Sequence, residues 1–147
     1  MRLWHIKLIS ALPKAQLVAQ WRECSAIAKA IKDNGTPNHI LVNFVIEYPV
    51  DHLINYSLLI REEMTKRGYR TMQSVEDKII SLNPEYKKMK TEDIYPKKMN
   101  DTYLKICLYN LYEKYLCGGI SQEEFDEIQE VANKNFWFLL KFLIKYI

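Results

Sequence analysis

The sequence predicts an all-α fold, a compact bundle of about five helices in a single domain over residues 1–147. Three observations carry that expectation. Only 4 Gly and 5 Pro occur in 147 residues, too few for the tight turns of a sandwich or barrel. Apolar residues recur at steps of three and four along several stretches, the repeat of a helix face. Asn-Gly, Asn-Pro and Gly-Gly pairs separate those stretches. Hydrophobic residues at 48% against 27% charged exclude a disordered chain.

The first helix opens near Pro13, a residue suited to a first turn. Leu17, Trp21, Cys24, Ala28 and Ile31 then form one buried stripe, and Asn34-Gly35 ends it. Residues 38–48 (NHILVNFVIEY) are apolar without a period, so a short buried helix and an extended piece are both open there. Pro49 and Asp51 start the second helix. Leu53, Tyr56, Ile60, Met64 and Arg67 share a face of it, and basic Lys66-Arg67 followed by Gly68 marks its end.

Ser74 with Glu76 and Asp77 reads as a third start, capped by the serine hydroxyl, with Asn83-Pro84 as the limit. Residues 84–100 read as a basic loop. Asp101 to Leu116 forms the next helix, stopped at Gly118-Gly119. Ser121 and Glu124 then make a capping box that opens the last helix. That helix ends in FWFLLKFLIKYI, which carries Lys141 and Lys145 and is too short for the roughly 20 apolar residues of a membrane span. It reads as a core or interfacial helix. At the other end, His5, Lys7 and Pro13 interrupt the apolar run that a signal peptide requires.

Cys24, Cys107 and Cys117 are odd in number and contain no C-x-x-C pair. Neither a disulfide framework nor a zinc site is expected, and a reducing, cytoplasmic setting fits. All three read as buried structural thiols. His5, His39 and His52 include no i, i+4 pair, so no metal site is expected. Phosphate-cradling glycine motifs are missing as well, and no cofactor is expected.

Two features suggest chemistry. With Leu17 at the centre of the buried face, Glu23 falls roughly 120° to one side and Arg22 roughly 140° to the other. Gln16 and Gln20 share the shoulder with Glu23. A carboxylate held by amides beside a core stripe meets the needs of a catalytic acid, while an ordinary exposed helix charge is the simpler reading. The second feature is Lys87, Lys88, Lys90, Lys97 and Lys98, interleaved with Tyr86 and Tyr95. Such residues neutralise phosphates and stack on bases, though a solvated lysine loop has the same composition. The net charge of +3 permits a polyanion without demanding one. The acidic block Glu123, Glu124, Asp126 and Glu127 would face away from it.

The run MRLWHIKLISALPKAQLVAQWRE, then NHILVNF, then LLIREEMTKRGY, resembles the pyrimidine-dimer DNA glycosylases, the small phage-type endonuclease V enzymes and their bacterial relatives. The likeness covers about the first half and is weak beyond residue 75. It implies a compact helical fold and a bifunctional enzyme on damaged double-stranded DNA. Such an enzyme cuts the glycosidic bond of the 5′ base of the dimer, then breaks the strand at the abasic site by β-elimination. The resemblance makes the N-terminal α-amine the nucleophile and matches Glu23 to the essential glutamate of an Arg-Glu pair. Catalytic roles are thereby expected for Met1, Arg2 and Glu23. DNA contacts are expected for Arg2, Arg22, Gln16, Gln20 and His39, with no metal, no membrane and a monomer near the nucleoid.

General chemistry agrees with such a nucleophile. An α-amine ionises near pH 7.7–8.0 and a lysine near 10.4, so roughly one α-amine in ten is neutral at pH 7 against one lysine in a few thousand. This chain departs from the family twice. Residue 2 is Arg, whose bulk normally blocks removal of Met1, so the Met1 amine itself would attack. Ser25, Ala26 and Ile27 follow the Arg-Glu pair where the family tends to carry a further arginine. Phe136-Trp137-Phe138 is the candidate for the family's aromatic tail. A non-catalytic nucleic-acid-binding protein on the same fold is the main rival reading. An interaction or membrane-surface module built on the C-terminal helix is the other.

Overall fold

The computed structural model describes residues 1–146, with side chains for residues 1–134. The expectations for Phe136-Trp137-Phe138 and for burial of the C-terminal segment lie outside the described side chains. Helices make up the regular structure of the described residues: α1 (Lys14–Asn34), α2 (Val50–Lys66), α3 (Gln73–Ile80), α4 (Asp101–Leu116) and α5 (Gln122–Tyr146). Short 3-10 helices cover Ile6–Ala11, Asn43–Glu47 and Thr91–Asp93. α1 packs on α2 and α3, and α5 packs on α4 and on the N-terminal 3-10 turn.

Helix limits follow local chemistry. Pro13 is the N-cap of α1 rather than its first residue, and Gly35 closes the helix at φ 76°, where only glycine is unstrained. Leu17, Trp21, Cys24 and Ala28 are buried as the periodicity requires, with Ile27 beside them. The capping box forms as written. Ser121 Oγ accepts from the Glu124 N–H at 3.1 Å, and Glu124 Oε1 accepts from the Ser121 N–H at 3.0 Å. The start of α3 differs from expectation. Met72 is its N-cap, without a side-chain cap, and Ser74 lies inside the helix. Glu76 is drawn instead to Arg61 at 2.5 Å, an ion pair that ties α2 to α3. Segment 38–48 resolves into a turn followed by the 3-10 helix Asn43–Glu47.

Arg67, read from sequence as a helix-end charge, does more. Its guanidinium donates to the carbonyls of Leu12 (2.7 Å), Ser10 (3.1 Å) and Ile9 (3.4 Å). These carbonyls lie at the end of the first 3-10 turn, where Ile9 O also accepts from the Leu12 N–H, and a cation suits such a cluster of acceptors. The N-terminal segment is thus anchored to the end of α2.

Segment 84–100 is not a simple solvated loop. Asp51 accepts from the Lys87 N–H and from Asn83 Nδ2, and these bonds hold its carboxyl below the usual range. Asn55, on the next turn of α2, donates to Lys87 O and accepts from the Met89 N–H. The Tyr95 N–H donates to His52 Nδ1 at 3.0 Å, and burial lowers the pKa of that imidazole, keeping it neutral. Tyr95 is wholly buried against Phe44, Tyr48 and His52. It cannot stack on a base, which corrects the expectation from composition. Its hydroxyl is buried without a hydrogen-bond partner among the described residues. An unmatched buried polar group costs about 1–3 kcal/mol. Tyr95→Phe is therefore expected to raise stability by about 1 kcal/mol in denaturant titration. A lower midpoint for the variant would mean that the hydroxyl is bonded after all.

Candidate active site

The N-terminal residues run extended between α1, α2 and α4, and a buried network fixes them. Gln20, on α1, is 0% exposed. Its Oε1 accepts from the Trp4 N–H at 2.7 Å, and its Nε2 donates to Arg2 O at 2.9 Å and to Glu23 Oε2 at 3.0 Å. The Tyr56 hydroxyl of α2 lies 2.7 Å from Trp4 O and 2.8 Å from Gln20 Oε1. From α4, Tyr103 donates to Leu3 O. One amide therefore couples the backbone just after Met1 to the Glu23 carboxylate. Both of its polar atoms are committed, and it has no exposed surface. The expected direct contact of Gln20 with DNA is corrected on that ground.

A cavity of about 350 Å³ opens at this point. Met1, Arg2 and Trp4 form one wall. α1 supplies Gln16 and Glu23, spaced two turns apart on one face, with small Ala15 and Ala19 leaving room between them. Leu41 also lines it, as do Asn110 and Lys114, one turn apart on α4. Glu23 is the one acid among the described residues that line it and is partly exposed. Gln16 Oε1 is buried with no hydrogen-bond partner among the described residues, an acceptor available to a ligand.

Arg2 holds its guanidinium 5.8 Å from the Trp4 ring centroid. Arg22 is exposed and lies outside the cavity lining. His39 is also outside it. Its ring accepts from the Leu41 N–H at 3.3 Å, shaping the turn that presents Leu41 to the cavity. The structure thus brings Met1, Arg2, Gln16 and Glu23 together and leaves Arg22 and His39 on neighbouring surface.

The thiols divide. Cys24 and Cys107 are buried, and burial pushes the Cys24 pKa up to about 12, so neither is a ready thiolate. Cys117 is exposed, contrary to the expectation that all three are buried, because it caps the solvated end of α4. His5 is buried and kept neutral by desolvation. No cluster of three metal-ligating side chains occurs among the described residues, and no helix among them is long and apolar enough to cross a membrane.

Leu41, Asn110 and Lys114 escaped the sequence reading. No local motif marks them, and Asn110 and Lys114 lie beyond the stretch that carries the family likeness. Their i, i+4 spacing away from the buried stripe of α4 was the available signal, and it gains meaning once the fold brings them to the cavity that Glu23 lines.

The fold and cavity define a helical protein whose chain terminus, a glutamate and basic side chains share one opening. The family model described as pyrimidine dimer DNA glycosylase matches residues 1–77, just over half of the 147 residues, and the chain belongs to that family. No curated protein and no solved structure matches it.

Proposed function

We propose that this protein excises the 5′ base of a pyrimidine dimer and then breaks the strand as an abasic-site lyase, through a Schiff base on the Met1 α-amine. One observation carries the reading: the chain terminus and Glu23 line the same cavity, held in register by Gln20.

The amine nitrogen bonds to C1′ of the damaged nucleotide as the glycosidic C–N bond breaks, with the bonding pair leaving on the base. Glu23 stabilises the positive charge on the sugar as it develops. The attached amine gives up a proton through Glu23 to O4′, and the ring opens to an iminium between Met1 and C1′. Glu23 then removes a C2′ proton, and the 3′ phosphate leaves by β-elimination. Water hydrolyses the imine and restores the amine. Arg2 and Lys114 attract phosphate at the rim, and Arg22 does so on the surface beside it. The cavity is built from one chain, so a monomer suffices. Damaged duplex DNA is the partner, which places the protein at the nucleoid.

Borohydride is expected to trap a covalent protein–DNA adduct on duplex carrying a dimer or an abasic site, with the added mass on the Met1 peptide. Salt-sensitive binding with neither adduct nor incision would instead favour the non-catalytic binding protein.

A further inference from the structure

Tyr56 of α2 is wholly buried and is not among the residues that line the cavity. Any effect it has on bound DNA must pass through other residues. Its hydroxyl reaches both arms of the network behind the cavity, with Trp4 O at 2.7 Å and Gln20 Oε1 at 2.8 Å. Burial pushes its pKa up, so the hydroxyl stays protonated and remains a donor.

The Gln20 amide needs such a donor. The last torsion of a glutamine side chain is soft, so hydrogen bonds decide which way the amide points. Here Oε1 has two donors, the Trp4 N–H and the Tyr56 hydroxyl, while Nε2 spends its two hydrogens on Arg2 O and Glu23 Oε2. Every hydrogen-bonding position of the amide is filled. Turned over, it would set its NH2 group against the Trp4 N–H and its oxygen against Arg2 O and Glu23 Oε2. Because one NH2 group holds both Arg2 O and Glu23, a twist of the amide disturbs the backbone behind Met1 and the carboxylate together. The arrangement also separates the two Glu23 oxygens. Oε2 faces an N–H, whereas Oε1 accepts no hydrogen bond among the described residues.

We infer that Tyr56 is a positioning residue: its hydroxyl fixes the Gln20 amide, which keeps Glu23 and the chain terminus in register and leaves Glu23 Oε1, rather than Oε2, to exchange protons with the substrate. This rests on the reading that Glu23 and the Met1 amine act together on an abasic sugar. Tyr56 touches neither substrate nor reacting atoms. Its contribution is to the geometry of proton transfer, where misplacement of a group costs rate more than binding.

The test uses the full chain, a duplex with one preformed abasic site, and a temperature well below every unfolding midpoint. Tyr56→Phe is expected to lower the maximal single-turnover incision rate about tenfold, with the Kd for the duplex within about twofold of wild type. Replacing Tyr56 by 4-aminophenylalanine, whose ring amine carries one hydrogen for each acceptor, is expected to restore the rate to within about threefold. Gln20→Met should also be slow, and adding Tyr56→Phe to it should cost less than about twofold more, because the two act in series. A Tyr56→Phe rate within about twofold of wild type overturns the role, as does a parallel loss of rate and binding. Failure of the amine to rescue overturns it too, since ring packing alone would then explain the loss. Losses that multiply in the double variant show that Tyr56 does not act through Gln20. Should Gln20→Met not fold, the rescue decides. A wild-type protein that forms no borohydride adduct sinks the lyase reading and this role with it, whereas an active wild type with an unimpaired Tyr56→Phe sinks the positioning role alone.

Discussion

Glu23→Gln is expected to lower single-turnover incision of dimer-containing duplex by about 10²–10⁴-fold, with little change in thermal stability. The substitution separates charge from structure. Glu23 Oε2 accepts one hydrogen bond, from Gln20 Nε2 at 3.0 Å, and a glutamine carbonyl accepts it equally well. Packing around the residue is unchanged, because the side chains are nearly isosteric. The negative charge is what disappears, and with it the stabilisation of a cationic sugar and the base for the C2′ proton. Among the described residues no other acid lines the cavity to take over. The neighbouring Cys24 thiol cannot serve either, since burial raises its pKa to about 12 and leaves it neutral. Activity within about tenfold of wild type would remove Glu23 from the chemistry. A large drop in the unfolding midpoint would assign the loss to structure instead.

The frame of this molecule is legible in its sequence wherever a local rule decides. Gly35 ends α1 because its φ of 76° suits only glycine. Ser121 and Glu124 open α5 because each satisfies the other's backbone N–H. Leu17, Trp21, Cys24 and Ala28 are buried because 3.6 residues per turn put them on one face. Where a distant partner competes, the local signal fails. Ser74 looks like a cap, yet it lies inside α3, and Asp77, the acid three residues on, accepts from Gln73 Nε2 instead. Tyr95 sits among lysines and looks like a stacking platform, yet its N–H is taken by His52 and its ring by Phe44 and Tyr48.

The site divides the same way. Glu23, Arg22 and their amide neighbours stand out on a helical wheel, and the segment order carries the family likeness. The role of Gln20 is not visible there. Its four partners lie at residues 2, 4, 23 and 56, so its function as a link exists only after folding. The wheel put Gln20 on a shoulder with Gln16. In the fold Gln20 turns into the interior and Gln16 lines the cavity, and nothing in the spacing distinguishes the two.

Extending the chain by two residues ahead of Met1 is expected to abolish the borohydride adduct and abasic-site incision while leaving binding to damaged duplex within about threefold. The backbone just inside the terminus is fixed by three carbonyl contacts: Arg2 O to Gln20, Leu3 O to Tyr103 and Trp4 O to Tyr56. Because these bonds hold residues 2–4 in place, an extension cannot slide the new terminus back to where Met1 begins. The Met1 nitrogen becomes an amide, which has no basic lone pair with which to form an imine. The new amine lies up to about 7 Å further along the chain, well outside the 3–3.5 Å needed for attack at C1′. Lys114 lines the same cavity and is the built-in competitor for the role. If the extended protein still formed an adduct and the mass fell on the Lys114 peptide, the nucleophile would be that ammonium group after loss of its proton. Loss of the adduct together with retained binding assigns the attack to the chain terminus.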